Sequence, residues 1–201
     1  MIKYYIKKKI VKYIINIKKK MKKTNKCSNN DYFYVDENEC KTQLQVIGFW
    51  KVNKPYGFLS QWYCSNFTEN NMTFNTGEKY MMYKKALLFD PTSVDVILRQ
   101  NNPATLKKMG RSISNFDQKV WDENKYLIIY TANYLKFSQD ENLKKQLLDT
   151  KNLILAEASP IDKIYGIGLE PDNPNVQDIN KWKGENLLGK ALMDVRKNLS
   201  Y

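Results

Sequence analysis

Glu78 and Asp162 are the carboxylates whose surroundings best suit acid–base or electrostatic work. Glu78 follows Thr76-Gly77 and precedes the apolar stripe Tyr80, Tyr83, Leu87 and Leu88. It therefore falls in the first turn of a helix, where the peptide dipoles favour an anion. Lys85 stands seven residues on, nearly two turns, so both side chains share one face about 10 Å apart along the axis. A carboxylate at one end and a cation at the other would suit a phosphorylated substrate. Met109-Gly110-Arg111 offers a bidentate clamp for phosphate or carboxylate. Trp121, inside Val120-Trp-Asp-Glu, could stack on a flat heterocycle. Asp162 follows a short apolar run, Leu153–Glu157, and a proline at position 160, which is an approachable turn on a rigid strand end. Each segment alone also fits a purely structural role: a surface helix, a solvated arginine, a core tryptophan or an Asx turn.

Composition narrows the chemistry. The 201-residue chain contains no histidine. That removes the commonest general base, the commonest zinc ligand and every Ser-His-Asp or Cys-His arrangement. Its three cysteines, Cys27, Cys40 and Cys64, have no CxxC spacing. Their odd number argues against a disulfide framework and for a reducing, cytoplasmic setting. Catalysis must rest mainly on Asp, Glu, Lys, Arg, Tyr and water.

The net charge of +12 is local. Residues 1–26 hold eleven lysines and no acid, whereas the remainder has 22 basic and 21 acidic residues. Residues 1–43 read as a disordered lysine-rich extension and linker, with a start at Met21 as one explanation. A basic amphipathic helix on an anionic membrane, or a targeting segment, are the other readings. No apolar run reaches the roughly 20 residues of a membrane span. No obligate protein partner is evident, and nucleic acid is a weaker candidate partner than a small phosphorylated molecule, because the body is nearly neutral.

The elements that must position these residues follow from local signals. Val46–Val52 predicts a strand. Asn75-Thr76 starts a helix to Phe89. Asp90-Pro91 and Asn102-Pro103 each pair an N-cap with proline at the first helical position, and Gly110 predicts a stop. A long helix runs from Asp117 to about Leu135, and Ser138 with Glu141 forms a capping-box pattern. Leu153–Glu157 and Ile164–Leu169 read as short strands, and Glu185–Leu199 as a final helix. The expected fold is a mainly α single multihelical domain, residues 44–201, with two or three short β-strands.

Taken together the segments resemble the NADAR superfamily, in particular the N-glycosidases of riboflavin biosynthesis intermediates. The resemblance runs from Phe49-Trp50 through Gly57-Phe-Leu-Ser-Gln-Trp62, Glu78-x-Tyr-Met-Met-x-Lys-Lys85-Ala86 and Gly110-Arg111. It continues through Trp121, Glu157-Ala-Ser-Pro-x-Asp162-x-x-Tyr-Gly-Ile-Gly168 and Trp182-x-Gly-x-Asn186-x-Leu-Gly189 to Ala191-Leu-Met-x-Val-Arg196. Tyr165 replaces the usual tryptophan and Gln61-Trp62 the frequent Asn-Phe, swaps that bear on substrate preference. The resemblance implies that Glu78 and Asp162 are catalytic, that Trp121 contributes to the site, and that no metal or organic cofactor is needed. The substrate it implies is an early, phosphoribosylated aminopyrimidine of riboflavin biosynthesis, cut to ribose 5-phosphate and a free base as pre-emption of metabolite damage. On that reading Trp121, Trp62 and Phe58 supply stacking, Lys85 and Arg111 meet phosphate, and Asn186 joins the binding residues. An ADP-ribosyl hydrolase acting on modified DNA is the alternative within the superfamily. A nucleotide-binding module without turnover is the alternative outside enzymes.

Overall fold

The computed structural model describes residues 45–200. The lysine-rich extension expected over residues 1–43, with Cys27 and Cys40, lies outside the described residues. In chain order the elements are β1 (Val46–Phe49), β2 (Phe67–Glu69), β3 (Met72–Phe74), α1 (Gly77–Phe89), α2 (Val94–Arg99), α3 (Pro103–Arg111), α4 (Gln118–Ser138), α5 (Glu141–Leu148), β4 (Ile154–Glu157) and α6 (Leu187–Leu199). Six helices and four short strands make the described residues mainly α.

The axis of the fold is α1. Thr76, in extended conformation, caps it by accepting the Lys79 N–H at 3.1 Å on its hydroxyl. Tyr80, Met81, Met82, Tyr83 and Phe89 are all buried, so apolar contact surrounds the helix. α2, α3 and α4 pack against it. Each of those five side chains stabilises the fold by roughly 2 kcal/mol on burial. Their burial outweighs the cost of taking the nearby Glu78 carboxyl out of water, which shows as a raised pKa. A surface position for this helix is thus excluded.

Local caps explain most of the other boundaries. Asn102 accepts the Thr105 N–H at 3.1 Å with Pro103 at the first position of α3, and Asp117 accepts the Val120 N–H at 3.0 Å to open α4. The expected stop at Gly110 does not occur, because α3 continues to Arg111. Gly110 is there for close approach: a Cβ would lie 1.9 Å from the sulfur of Met82, so the glycine lets α3 lie against α1. The expected capping box at Ser138 is also displaced. Ser138 is the last residue of α4, and Asp140 caps α5 by accepting the N–H groups of Asn142 and Leu143.

The strands form two pairs. β1 and β4 are parallel, with Val46 opposite Ile154 and Phe49 opposite Glu157. β1 is shorter than the expected 46–52 and stops before the turn at Lys51–Lys54, closed by the Lys54 N–H on the Lys51 carbonyl. β2 and β3 make an antiparallel hairpin that the sequence reading lacks. Its turn, Asn70-Asn71, has φ of 50° and 64°, the left-handed pair that matches strand twist. The expected strand Ile164–Leu169 is instead an irregular loop. Its Ile167 N–H donates to the Glu157 carbonyl, while the carbonyls of Tyr165, Gly166 and Ile167 accept from Leu188, Asn186 and Lys183. Phe67, Phe74 and Tyr80 stack in the main core, with Phe74 and Tyr80 edge to face at 5.1 Å. A smaller core of Val46, Ala156, Ala158, Ile167, Leu169 and Val176 backs β1 and β4.

Candidate functional site

One cleft of about 280 Å³ lies between the start of α1, the end of α3, the middle of α4 and the loop after β4. Glu78, Lys85, Arg111, Trp121, Asp162 and Trp62, all singled out from the sequence, line it together. Glu157, Lys107, Tyr165 and Gln61 join them.

Glu78 projects from the first turn of α1 and is 3% exposed. Its backbone N–H donates to the Gln61 carbonyl at 3.0 Å, which ties the Gly57–Trp62 loop to the helix start. Its Oε1 is buried without a hydrogen-bond partner. Burial pushes the carboxyl up to about 7, against the pull of Lys107 and a hydrogen bond from the Trp62 side chain. Glu157 ends β4. Its backbone N–H donates to the Asn186 side chain at 3.1 Å, and its Oε2 is also buried and unpartnered. Burial, with Asp162 next, pushes this carboxyl up to about 8.

Asp162 is held as an Asx turn: its Oδ1 accepts the N–H groups of Ile164 at 3.0 Å and Tyr165 at 2.8 Å. Its Oδ2 stands 3.7 Å from the Lys107 ammonium. Lys107 thus pairs with Asp162 and also acts on Glu78 and Glu157 through space. It sits one turn before Arg111 on α3, so both cations face the cleft. Gly166 closes the loop against β4. A Cβ there would come within 2.8 Å of the carbonyl oxygens of both Asp162 and Glu157.

Lys85 is less free than its position suggests. Its ammonium donates to the Gly110 carbonyl at 2.6 Å and lies 4.2 Å from the Phe116 ring centre and 5.5 Å from that of Trp121. Burial lowers its proton affinity, and Glu78 opposes that. Lys107, 3.7 Å from Asp162, is the cation seen paired with a carboxylate of the cleft. Trp121, Met81, Met82 and Ile129 give the cleft an apolar floor, and Trp62, 40% exposed, stands at its rim. The Tyr165 hydroxyl is buried at one wall, and desolvation followed by the Glu78 charge raises its pKa.

Two expected site residues lie elsewhere. Phe58 packs edge-on against Phe137 at 6.3 Å, and its carbonyl accepts from Lys136. Asn186, 1% exposed, has a left-handed backbone (φ 54°) just before α6. Its side chain accepts from Glu157 N–H and donates to the Leu155 carbonyl at 2.9 Å. It holds β4 in place rather than facing the cleft. Lys107 went unnoticed in the sequence because a lysine on a helix normally points to water. Its i,i+4 relation to Arg111 was the available signal.

Among the described residues, no group of three or more His, Cys, Asp or Glu is arranged to hold a metal ion. No described helix is long and apolar enough to cross a membrane. Cys64 is a free, exposed thiol.

The NADAR domain family matches residues 48–200. The chain is 44% identical over 144 residues to N-glycosidase R617 of Acanthamoeba polyphaga mimivirus, covering 69% of this chain and 85% of that protein. It is 28% identical over 158 residues to N-glycosidase YbiA of Escherichia coli (strain K12), covering 79% and 91%. The NMR structure of E. coli YbiA is similar with a TM-score of 0.66, covering 79% of this chain and 86% of that one.

Proposed function

Because the chain belongs to the NADAR domain family, we propose that its cleft hydrolyses the ribose–base C–N bond of early riboflavin biosynthesis intermediates, releasing ribose 5-phosphate and an aminopyrimidine. Relatives matching most of its length are named N-glycosidases, and the chain is a hydrolase acting on N-glycosyl bonds. Hydrolysis breaks the bond from C1 of ribose to nitrogen. The bonding pair leaves with nitrogen, which takes a proton, and water adds its oxygen to C1. Positive charge builds on the sugar on the way.

The observation that carries the reading is the grouping of Glu78 and Asp162 around one cleft with an apolar Trp121 floor and the cations Lys107 and Arg111. Fixed carboxylates stabilise a developing oxocarbenium ion better than water does, because they need no reorganisation. Glu78 and Asp162 divide two tasks, charge stabilisation and removal of the water proton. Trp121 offers a face to the pyrimidine. Arg111, assisted by Lys107, meets the 5-phosphate, with Lys85 in a supporting position. The chemistry needs no metal in this scheme, since every charge that develops has a side chain to meet it.

The test is turnover of the purified full chain on the two early intermediates and on ADP-ribosylated DNA, with chromatography of the released base and sugar. Release of ribose 5-phosphate and aminopyrimidine is the expected result. Inert intermediates with loss of ADP-ribose from DNA would replace this reading with the ADP-ribosyl hydrolase one.

A further inference from the structure

Glu157 is the carboxylate that the scheme above leaves unused. Its backbone is fixed twice, by parallel pairing opposite Phe49 and by the Asn186 side chain on its N–H. Its carboxyl reaches the same cleft as Glu78 and Asp162. Although the residue as a whole is partly exposed, Oε2 is buried and has no hydrogen-bond partner. A buried carboxylate without a partner is costly, whereas a neutral carboxylic acid carries a hydrogen it can donate to a bound molecule.

We propose that Glu157 is the general acid of the reaction, donating its proton to the base nitrogen as the C–N bond breaks.

The surrounding charges fit that role. The groups that act on Glu157 are Asp162, Lys107 and Glu78. Lys107 is the cation among them, and Asp162 already faces it at 3.7 Å. With Lys107 already paired to Asp162, the two buried carboxyls Glu78 and Glu157 cannot both be ionised at little cost, so a proton is held between them. Burial pushes Glu157 up furthest, to about 8, against about 7 for Glu78. Glu157 is the carboxyl at the end of β4, with its Oε2 buried and unpaired, so it is the one assigned the proton, which leaves Glu78 and Asp162 for the sugar and the water. In the step itself the nitrogen gains the bonding pair and the Glu157 proton. Water gives its oxygen and one hydrogen to C1, and its second proton goes to a neighbouring carboxylate, from which Glu157 is recharged. One water is consumed and no other reactant is needed.

The inference rests on the N-glycosidase reading above, and its test separates the two. The full chain and its Glu157→Gln variant are assayed on two ribosyl 5-phosphates. One carries an aminopyrimidine, which must be protonated to leave. The other carries a pyridinium, which leaves as neutral pyridine without a proton. A lost general acid should cost about 10²-fold on the first and at least tenfold less on the second. It should also abolish the fall in activity above pH 8. Equal losses on both substrates, or an unchanged alkaline limb, would overturn the assignment. Should the wild type turn over only the aminopyrimidine, the alkaline limb decides. A wild type inert on both would sink the substrate reading instead. Infrared spectroscopy then judges Glu157 without turnover: a protonated-carboxyl band should be present at pH 7 in the wild type, persist in Glu78→Gln and be lost in Glu157→Gln. A band absent from the wild type at pH 7, or one lost in Glu78→Gln, refutes the proposal, and neither outcome needs a folded Glu157 variant.

Discussion

Lys136 is a fully buried ammonium, and its replacement has a pH signature that can be worked out in advance. The side chain crosses from α4 to the Gly57–Trp62 loop and donates to the carbonyls of Phe58 at 2.6 Å and Ser60 at 3.1 Å. Burial pushes its pKa down from 10.5 to about 7, only partly opposed by Asp140. Between those values the unfolded chain binds a proton that the folded chain does not. Folding stability therefore rises with pH across this window. From pH 6 to pH 9 the gain amounts to roughly 2.5 kcal/mol, at ~1.4 kcal/mol per pKa unit. Lys136→Met removes the titrating group but leaves two buried carbonyls unpaired, at about 1–3 kcal/mol each. Relief of the buried charge offsets that loss at pH 6 and no longer does so at pH 9. The deficit of the variant should thus grow by roughly 2.5 kcal/mol over this range. Glu78 and Glu157 titrate in the same window with the opposite sign, since their raised pKa values make the fold lose stability as pH rises through 7 and 8. They are common to both proteins, so the difference between the two isolates Lys136. Urea unfolding followed by tryptophan fluorescence at each pH supplies the numbers. A deficit that stays constant with pH would refute the assignment of a depressed ammonium at this position.

Two further substitutions probe the frame that aims the carboxylates. Gly166→Ala puts a methyl group within 2.8 Å of the Asp162 and Glu157 carbonyl oxygens. It should lower turnover by about 10², the scale of an ångström's misplacement, at a stability cost of roughly 1–3 kcal/mol; unchanged kcat would show that the loop tolerates the shift. Asn186→Ala unpairs the Glu157 N–H and the Leu155 carbonyl. It should destabilise the protein by about 3 kcal/mol in urea unfolding, and a loss below ~0.5 kcal/mol would mean that neither bond matters.

Short-range interactions are legible in the sequence, and long-range ones are not. The caps at Thr76, Asn102 and Asp117 are local, and each is found where its sequence signal stands. The β2–β3 hairpin has strands of three residues, too short for alternation to register, although Asn70-Asn71 marked its turn. Ile164–Leu169 looks like a strand because its apolar residues alternate with glycines. Its backbone instead bonds to four different residues, Lys183, Asn186, Leu187 and Leu188, a tertiary arrangement with no local signature. The site divides the same way. Glu78, Lys85, Arg111 and Trp121 stood out because helical spacing or residue type exposed them. Glu157 was hidden within a strand pattern, and its isolation in the cleft depends on a loop packed against it. Phe58 and Asn186 went the other way: an aromatic ring and an amide suggest ligand contact, but Phe137 and the backbone of β4 occupy them first.

Glu78 and Asp162 are proposed as the carboxylates that carry out hydrolysis. Glu78→Gln and Asp162→Asn keep size and shape while removing the charge. Single-turnover release of aminopyrimidine from the phosphoribosylated substrate, measured beside thermal unfolding of each variant, tests the claim directly. Both variants should fold, and each should be slower than the wild type by at least about 10². A folded variant with wild-type rate would remove that residue from the mechanism.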